Sequence, residues 1–151
     1  MSMPDAFLNP EEVIAELDIR PGERIADFGC GAGFFSIPLG KRTGQAGRVY
    51  AIDIRQEAIE ATRAKIKLYH LYNIETVRAD LEMPEGSGLK NETMDKVFIS
   101  NILFQVESRE ALAKEATRIL RGGGSLAVIE WSELKSGAGP SLENKIGEDE
   151  A

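Results

Sequence analysis

Arg24-Ile-Ala-Asp-Phe-Gly-Cys-Gly-Ala-Gly-Phe-Phe-Ser-Ile-Pro-Leu39 carries a short apolar run, Ile25 to Phe28, broken by Asp27 and passing straight into Gly29-Cys30-Gly31-Ala32-Gly33. The pattern predicts a buried parallel strand that turns tightly into a helix starting near Phe34. Glycine fits where φ is positive or where another atom must approach the backbone. Three glycines in five residues leave this turn without side-chain bulk, so a nucleotide-like ligand is expected to lie against bare N–H groups at a helix N-terminus.

The spacing narrows the ligand. A dinucleotide-binding turn reads Gly-x-Gly-x-x-Gly. Here the third glycine comes one position early, at Gly33, and Phe34 stands where the last glycine belongs. No Gly-Lys-Ser/Thr follows, which excludes a P-loop. Asp27, inside the strand, would repel a pyrophosphate but accept hydrogen bonds from a cationic amino-acid group; its other reading is to hold the loop through nearby backbone N–H groups. A nucleoside with a positively charged end, such as S-adenosylmethionine, meets these conditions.

Downstream, Gly47-Arg-Val-Tyr-Ala-Ile-Asp53 is strand-like, and Asp53 ends it about 20 residues after Gly33, where the acidic group of a βαβ unit reaches ribose hydroxyls. A helix N-cap or a solvated loop carboxylate is the plainer alternative for Asp53.

Five separated stretches then resemble, in order over roughly residues 7 to 133, the class I, Rossmann-like S-adenosylmethionine-dependent methyltransferases, and among them the ubiquinone/menaquinone-biosynthesis-methylase-like small-molecule group. They are Ala26-Asp-Phe-Gly-Cys-Gly-Ala-Gly-Phe34, Asp53 with Ile54, Arg78-Ala-Asp80-Leu81-Glu82, Met94 to Gln105, and Ile119 to Trp131. The resemblance implies an α/β three-layer sandwich on a mostly parallel sheet of order 3-2-1-4-5. It implies donor contacts from Asp27, Gly29, Cys30, Gly31, Gly33, Phe34, Asp53 and Ile54. It also implies that the Asp80 side chain meets the adenine amino group, that the N–H of Leu81 meets a ring nitrogen, and that Asn101 lies by the methionine moiety and the acceptor. S-adenosyl-L-methionine is the implied cofactor, S-adenosyl-L-homocysteine its product, and a small molecule the acceptor. Gln105 and Glu130 are conceivable wall residues, and Phe7 and Leu8 form either a lid or a staple on the first helix. No residue is singled out as a general base.

Composition agrees. The chain has 151 residues, one domain's worth, with 42% hydrophobic and 28% charged residues and a net charge of -7. The acidic balance argues against a nucleic-acid partner, which needs a basic footprint; Arg63-Ala-Lys-Ile-Lys67 reads as a solvated helix face. No stretch approaches the length of a membrane span, and the first residues are no signal peptide. One cysteine forbids an internal disulfide and suits a cytoplasmic setting. That cysteine, Cys30, stands at a helix start where thiols are acidified, yet the loop needs only a small filler there. With His70 alone beyond it, no metal site is expected.

Helices are expected after Asn9-Pro-Glu-Glu12, where Asn9 caps and Pro10 opens the first turn, over Gln56 to Tyr69 with His70 following it at the dipole's C-terminal end, and over Ser108 to Leu120 with Leu112, Ala116, Ile119 and Leu120 inward. Strands are expected at Glu75 to Ala79, around Val97 to Ile99 and at Ser125 to Glu130, with residues 84 to 93 as loop. The domain is placed at residues 1–133 and a flexible acidic tail at 134–151. The sixth and seventh strands of the resembled family are not expected, so the fold is read as C-terminally truncated. The fifth strand then becomes an exposed edge open to self-association or a partner chain. Two rival classes stay open: a nicotinamide oxidoreductase, opposed by the glycine spacing, Asp27 and Asp80, and a non-catalytic cofactor-binding domain or subunit of a split enzyme.

Overall fold

The computed structural model describes residues 9–100, 102 and 105–129. Its elements alternate: α1 (Pro10–Glu16), β1 (Arg24–Phe28), α2 (Ser36–Thr43), β2 (Arg48–Asp53), α3 (Gln56–Tyr69), β3 (Ile74–Arg78), β4 (Met94–Ser100), α4 (Arg109–Ile119) and β5 (Leu120–Ile129). The five strands form one sheet of order β3-β2-β1-β4-β5, and every neighbouring pair is parallel. This is the expected Rossmann-like methyltransferase arrangement.

Strand side chains alternate between faces, and the sheet accordingly has two cores. On one face Ile25, Val49, Ala51 and Phe98 pack with Ile14 of α1, Leu39 of α2, and Ile59 and Ile66 of α3. On the other, Phe28, Ile52, Val97 and Ile99 pack with Leu112, Ala116 and Ile119 of α4. Helices on both faces bury parallel strands on both sides. The C-terminal ends of β1 to β4 therefore share one edge, where the glycine loop and Asp53 lie.

Local chemistry sets the boundaries. The Asn9 side chain accepts from the N–H groups of Glu11 and Glu12, capping α1 behind Pro10. α2 begins at Ser36, two residues beyond the expected start, because the glycine turn is closed by Gly33 N–H donating to Cys30 O at 2.9 Å. His70 follows α3 as expected and is its C-cap, in the left-handed conformation, its N–H donating to Ile66 O and Lys67 O.

β5 departs most from expectation. Its pairing with β4 starts at Leu120, opposite Met94, directly after α4, and resumes at Ser125 opposite Lys96. Arg121-Gly-Gly-Gly124 thus bulges out against the single residue Asp95. Asp95 secures the bulge, accepting from Arg121 Nε at 2.5 Å and from Arg24 N–H at 2.7 Å. Burial pushes the Asp95 carboxyl up, but these donors outweigh it and hold its pKa below the ordinary value. Among the described residues β5 pairs with β4 alone and forms one margin of the sheet, with Leu126 exposed. Glu130, Trp131, the 134–151 segment, and Phe7 and Leu8 lie outside the described residues. Among those described, no helix is long and apolar enough to cross a membrane.

Candidate functional site

Gly29, Gly31 and Gly33 all have positive φ, at 76°, 54° and 85°, so glycine is favoured at each. Their surroundings differ. A Cβ on Gly29 would overlap the Ile102 side chain, and one on Gly33 would press on Thr62 of α3 at 3.3 Å. Beside Gly31 the nearest atom is Arg55 Nη2, 3.9 Å away. Close helix packing explains Gly33, close approach of the β4–α4 connection explains Gly29, and Gly31 borders open space.

The loop amides are not bare, which corrects the sequence expectation. Gly29 N–H and Cys30 N–H both donate to Ile52 O, at 2.8 and 2.9 Å. Gly31 N–H donates to Asp53 Oδ2 at 2.9 Å, and Gly33 N–H closes the turn. Three of these donors go to the end of β2 and the fourth to Cys30 O, so the N–H groups of Gly29, Cys30, Gly31 and Gly33 are not open to a ligand.

Asp27 lies at the end of β1 and is almost wholly buried. It makes no bond to the loop backbone; Oδ2 accepts from Ser36 Oγ at 2.5 Å. Oδ1 has no hydrogen-bond partner among the described residues. Burial raises its pKa from 3.8 to about 7, the Ser36 hydroxyl works against the rise, and the nearby Asp53 charge adds to it. An orphaned buried oxygen signals an unfilled partner or a proton.

Asp53 ends β2 with its carboxylate between the loop and the start of α3. Besides Gly31, it accepts at Oδ1 from Arg55 N–H at 3.0 Å and Arg55 Nε at 3.2 Å, and at Oδ2 from Arg55 Nη2 at 3.4 Å. Burial pushes its pKa up, but the Arg55 side chain and the two backbone donors outweigh burial and hold it below 3.8. Asp53 thus ties down the residue ahead of α3 without capping the helix, whose N-cap is Arg55 with no side-chain cap bond, and its side chain borders the cavity. Cys30 is a filler. Burial, followed by the charge of Asp27, pushes its thiol up to about 12, the opposite of what thiolate chemistry needs.

The cavity at this edge measures about 380 Å³. The first two strands contribute Gly29, Cys30, Gly31, Phe34, Asp53 and Ile54; the end of β3 contributes Asp80 and Leu81. Ser100, Ile102, Gln105 and Val106 close it from β4 and its connection to α4, with Leu112 of α4 behind. Asp27 and Gly33 lie outside this lining, and Asn101 falls outside the described residues. Sequence reasoning passed over Arg55, Ile102, Ser100 and Val106. Arg55 had a visible signal, a cation two residues after the ribose-side carboxylate; Ile102, beside Asn101, had none.

The β3-side wall is braced from α4. Asp80 Oδ1 accepts from Glu82 N–H at 3.0 Å, and Glu82 Oε1 accepts from Ser108 N–H at 2.7 Å. Gly86 packs so closely on Asp80 O that a Cβ there would overlap it. The buried Glu115 accepts from Ser87 Oγ at 2.5 Å, from Ser87 N–H at 2.9 Å and from Arg118 Nη2 at 2.6 Å. Burial raises the Glu115 pKa, but Arg118 and Ser87 outweigh it and the carboxyl lies below its ordinary 4.5.

A parallel sheet of this order with a cavity over the tips of β1, β2, β3 and β4 is a Rossmann-like fold, whose ligands sit at the carboxyl ends of the strands. The family described as "methyltransferase domain" matches residues 26–128, and the chain belongs to that family. It is 27% identical over 124 residues to the demethylmenaquinone methyltransferase of Bacillus mycoides (strain KBAB4), a match covering 82% of this chain and 51% of that one. The chain thus spans about half the length of the curated relatives it matches. A crystal structure of a SAM-dependent methyltransferase from Aquifex aeolicus superposes with a TM-score of 0.83 at 27% identity, covering 92% of this chain and 72% of that one. The [4+2]-cyclase SpnF shares the fold, with a TM-score of 0.69 at 19% identity over 78% of this chain and 42% of its own.

Proposed function

We propose that the chain binds S-adenosylmethionine in this cavity and transfers its methyl group to a small-molecule acceptor. The observation that carries the reading is the Asp53 carboxylate, fixed at the tip of β2 by Gly31 N–H and bordering a cavity lined by Asp80 and Leu81. Asp53 would hold the ribose hydroxyls, Ile54 and Phe34 would cover the nucleoside, and the Asp80 side chain with the Leu81 N–H would meet the adenine edge. Gly29, Cys30 and Gly31 would shape the floor, and Gly33, outside the lining, would act by letting the loop pack on α3. Asp27, with its orphaned Oδ1, is assigned to the ammonium end, and Asn101 to the methionine end near the acceptor.

When bound, the donor supplies a sulfonium-activated methyl group for in-line displacement. The chain's own part is alignment and exclusion of water, by a wall that includes Phe34, Ile102, Val106 and Leu112. Alignment of this kind contributes up to about 7–11 kcal/mol in intramolecular reactions. The Bacillus relatives carry demethylmenaquinone in their name, which with the apolar wall makes a quinol-type compound the first acceptor to assay. A cytoplasmic setting, in keeping with the single buried thiol, is part of the proposal.

The second reading is a domain that binds the donor without transferring its methyl group. SpnF favours keeping it in view, since the same fold there carries the name of a cyclase. Calorimetry with S-adenosylmethionine and S-adenosylhomocysteine, with NADH for comparison and Asp53→Ala as control, tests both. Saturable binding of the adenosyl ligands, lost in the variant, together with methylation of a quinol supports the first reading. Binding without transfer to any acceptor supports the second, and no binding by folded protein removes both.

A further inference from the structure

The Asp53 carboxylate is already filled. Two oxygens offer about four lone-pair positions, and four donors occupy them: Gly31 N–H, Arg55 N–H, and Nε and Nη2 of the Arg55 guanidinium. These contacts fall into two classes. The backbone donors, at 2.9 and 3.0 Å, are fixed by the fold of the loop and the start of α3. The guanidinium contacts are longer, 3.2 and 3.4 Å, and come from a side chain that is 55% exposed. The guanidinium also reaches across Gly31, the one loop glycine that borders open space. The fork of Arg55 and a vicinal diol present the same thing to a carboxylate, two adjacent donors, so they compete for the same face.

We infer that Arg55 is an internal occupant of the ribose seat, holding the Asp53 carboxylate in the ligand-free protein and yielding it to the ribose hydroxyls of the incoming nucleoside. The inference rests on the reading of this cavity as an S-adenosylmethionine site. The occupant keeps Asp53 ionised and oriented while the seat is empty, and every ligand must displace it. A ligand without the diol opens the ion pair and gives the carboxylate nothing in exchange, so Arg55 sharpens selection for ribose-bearing ligands while lowering their affinity.

The test is calorimetric titration of S-adenosylhomocysteine, which carries no net charge, into wild type, Arg55→Met and Arg55→Gln at low and high salt. An exposed ion pair of this kind corresponds to about two- to five-fold in affinity. Both variants should bind tighter than wild type by that factor at low salt. Wild-type affinity should rise with salt as the pair is screened, converging on the variants, whose affinity should stay level. Variants that bind equally or more weakly at both salts overturn the inference and leave the site reading standing, because Arg55 would then be neutral or a ligand contact. Wild-type affinity that is flat or falling with salt overturns it without any variant. No saturable binding by the wild type overturns the site reading and this inference together.

Discussion

Ser36 donates from Oγ to Asp27 Oδ2 at 2.5 Å, joining the first residue of α2 to the end of β1 beneath the glycine turn. The other oxygen, Oδ1, is buried with no hydrogen-bond partner among the described residues, and this shapes how stability varies with pH. Asp27 has a pKa of about 7 in the folded chain against 3.8 ordinarily. Between those values the native state binds a proton that the unfolded chain does not. Stability from this group is therefore complete below the lower value and lost as pH rises through the higher one. Asp53, Asp95 and Glu115 have lowered pKa values and act oppositely, losing their stabilisation only in more acidic solution. Urea midpoints should fall for the wild type from about pH 5 to about pH 7 and level off above, and Asp27→Asn should remove that slope.

The glycine positions separate strain from collision. Gly31→Ala meets open space, so its cost is that of a left-handed alanine, about 1–2 kcal/mol, while the added methyl group, bordering the cavity, should weaken adenosyl-ligand binding. Gly29→Ala adds overlap with Ile102 and should be the more destabilising. Ile102→Ala should offset the overlap, so the double variant is expected to fall short of the summed losses by about 1 kcal/mol in chemical denaturation.

Removing Glu115 strips a buried cluster of its anion. Glu115→Ala leaves Arg118, Ser87 Oγ and Ser87 N–H without their shared acceptor, and breaking such a pair costs roughly 3 kcal/mol. The midpoint of denaturation should drop with an unchanged slope. Affinity for S-adenosylhomocysteine should fall too, because Ser87 anchors the segment that follows Asp80 and Leu81 in the cavity wall.

Asp53→Asn keeps the shape and removes the charge. Hydrogen bonds to charged groups are worth about 1.5–3 kcal/mol, so adenosyl-ligand affinity should drop tenfold or more. Since the Asp53 pKa lies below its ordinary value, the carboxylate stays ionised in weak acid. Its contribution to binding should therefore stay level from about pH 8 down to about pH 5, measured as affinity in wild type relative to Asp53→Asn.

Much of the architecture was legible because parallel strands and their helices leave periodic apolar patterns. α3 falls on Gln56–Tyr69 as read, and Asp53 stands at a strand end because the run before it is buried. The failures share one physical cause, dependence on distant partners. The loop amides read as bare because Ile52 O and Asp53 Oδ2 arrive from another strand. Residues 84 to 93 read as plain loop, yet Ser87 within them is the anchor for Glu115, a carboxylate set among inward positions that an apolar pattern does not count. β5 read as starting at Ser125 because Arg121-Gly-Gly-Gly124 looks like a plain turn; only Asp95, from β4, shows that pairing with the sheet has already begun at Leu120.

A loop in which the N–H groups of Gly29, Cys30, Gly31 and Gly33 are bonded within the protein before any ligand arrives is poorly recruited by whichever phosphate diffuses past. Adenine nucleotides share the adenosine half of the proposed ligand and differ in the anionic half. The backbone withholds its donors from that anionic half. On the proposed reading, discrimination against adenine nucleotides would work by refusal, through hydrogen bonds directed inward.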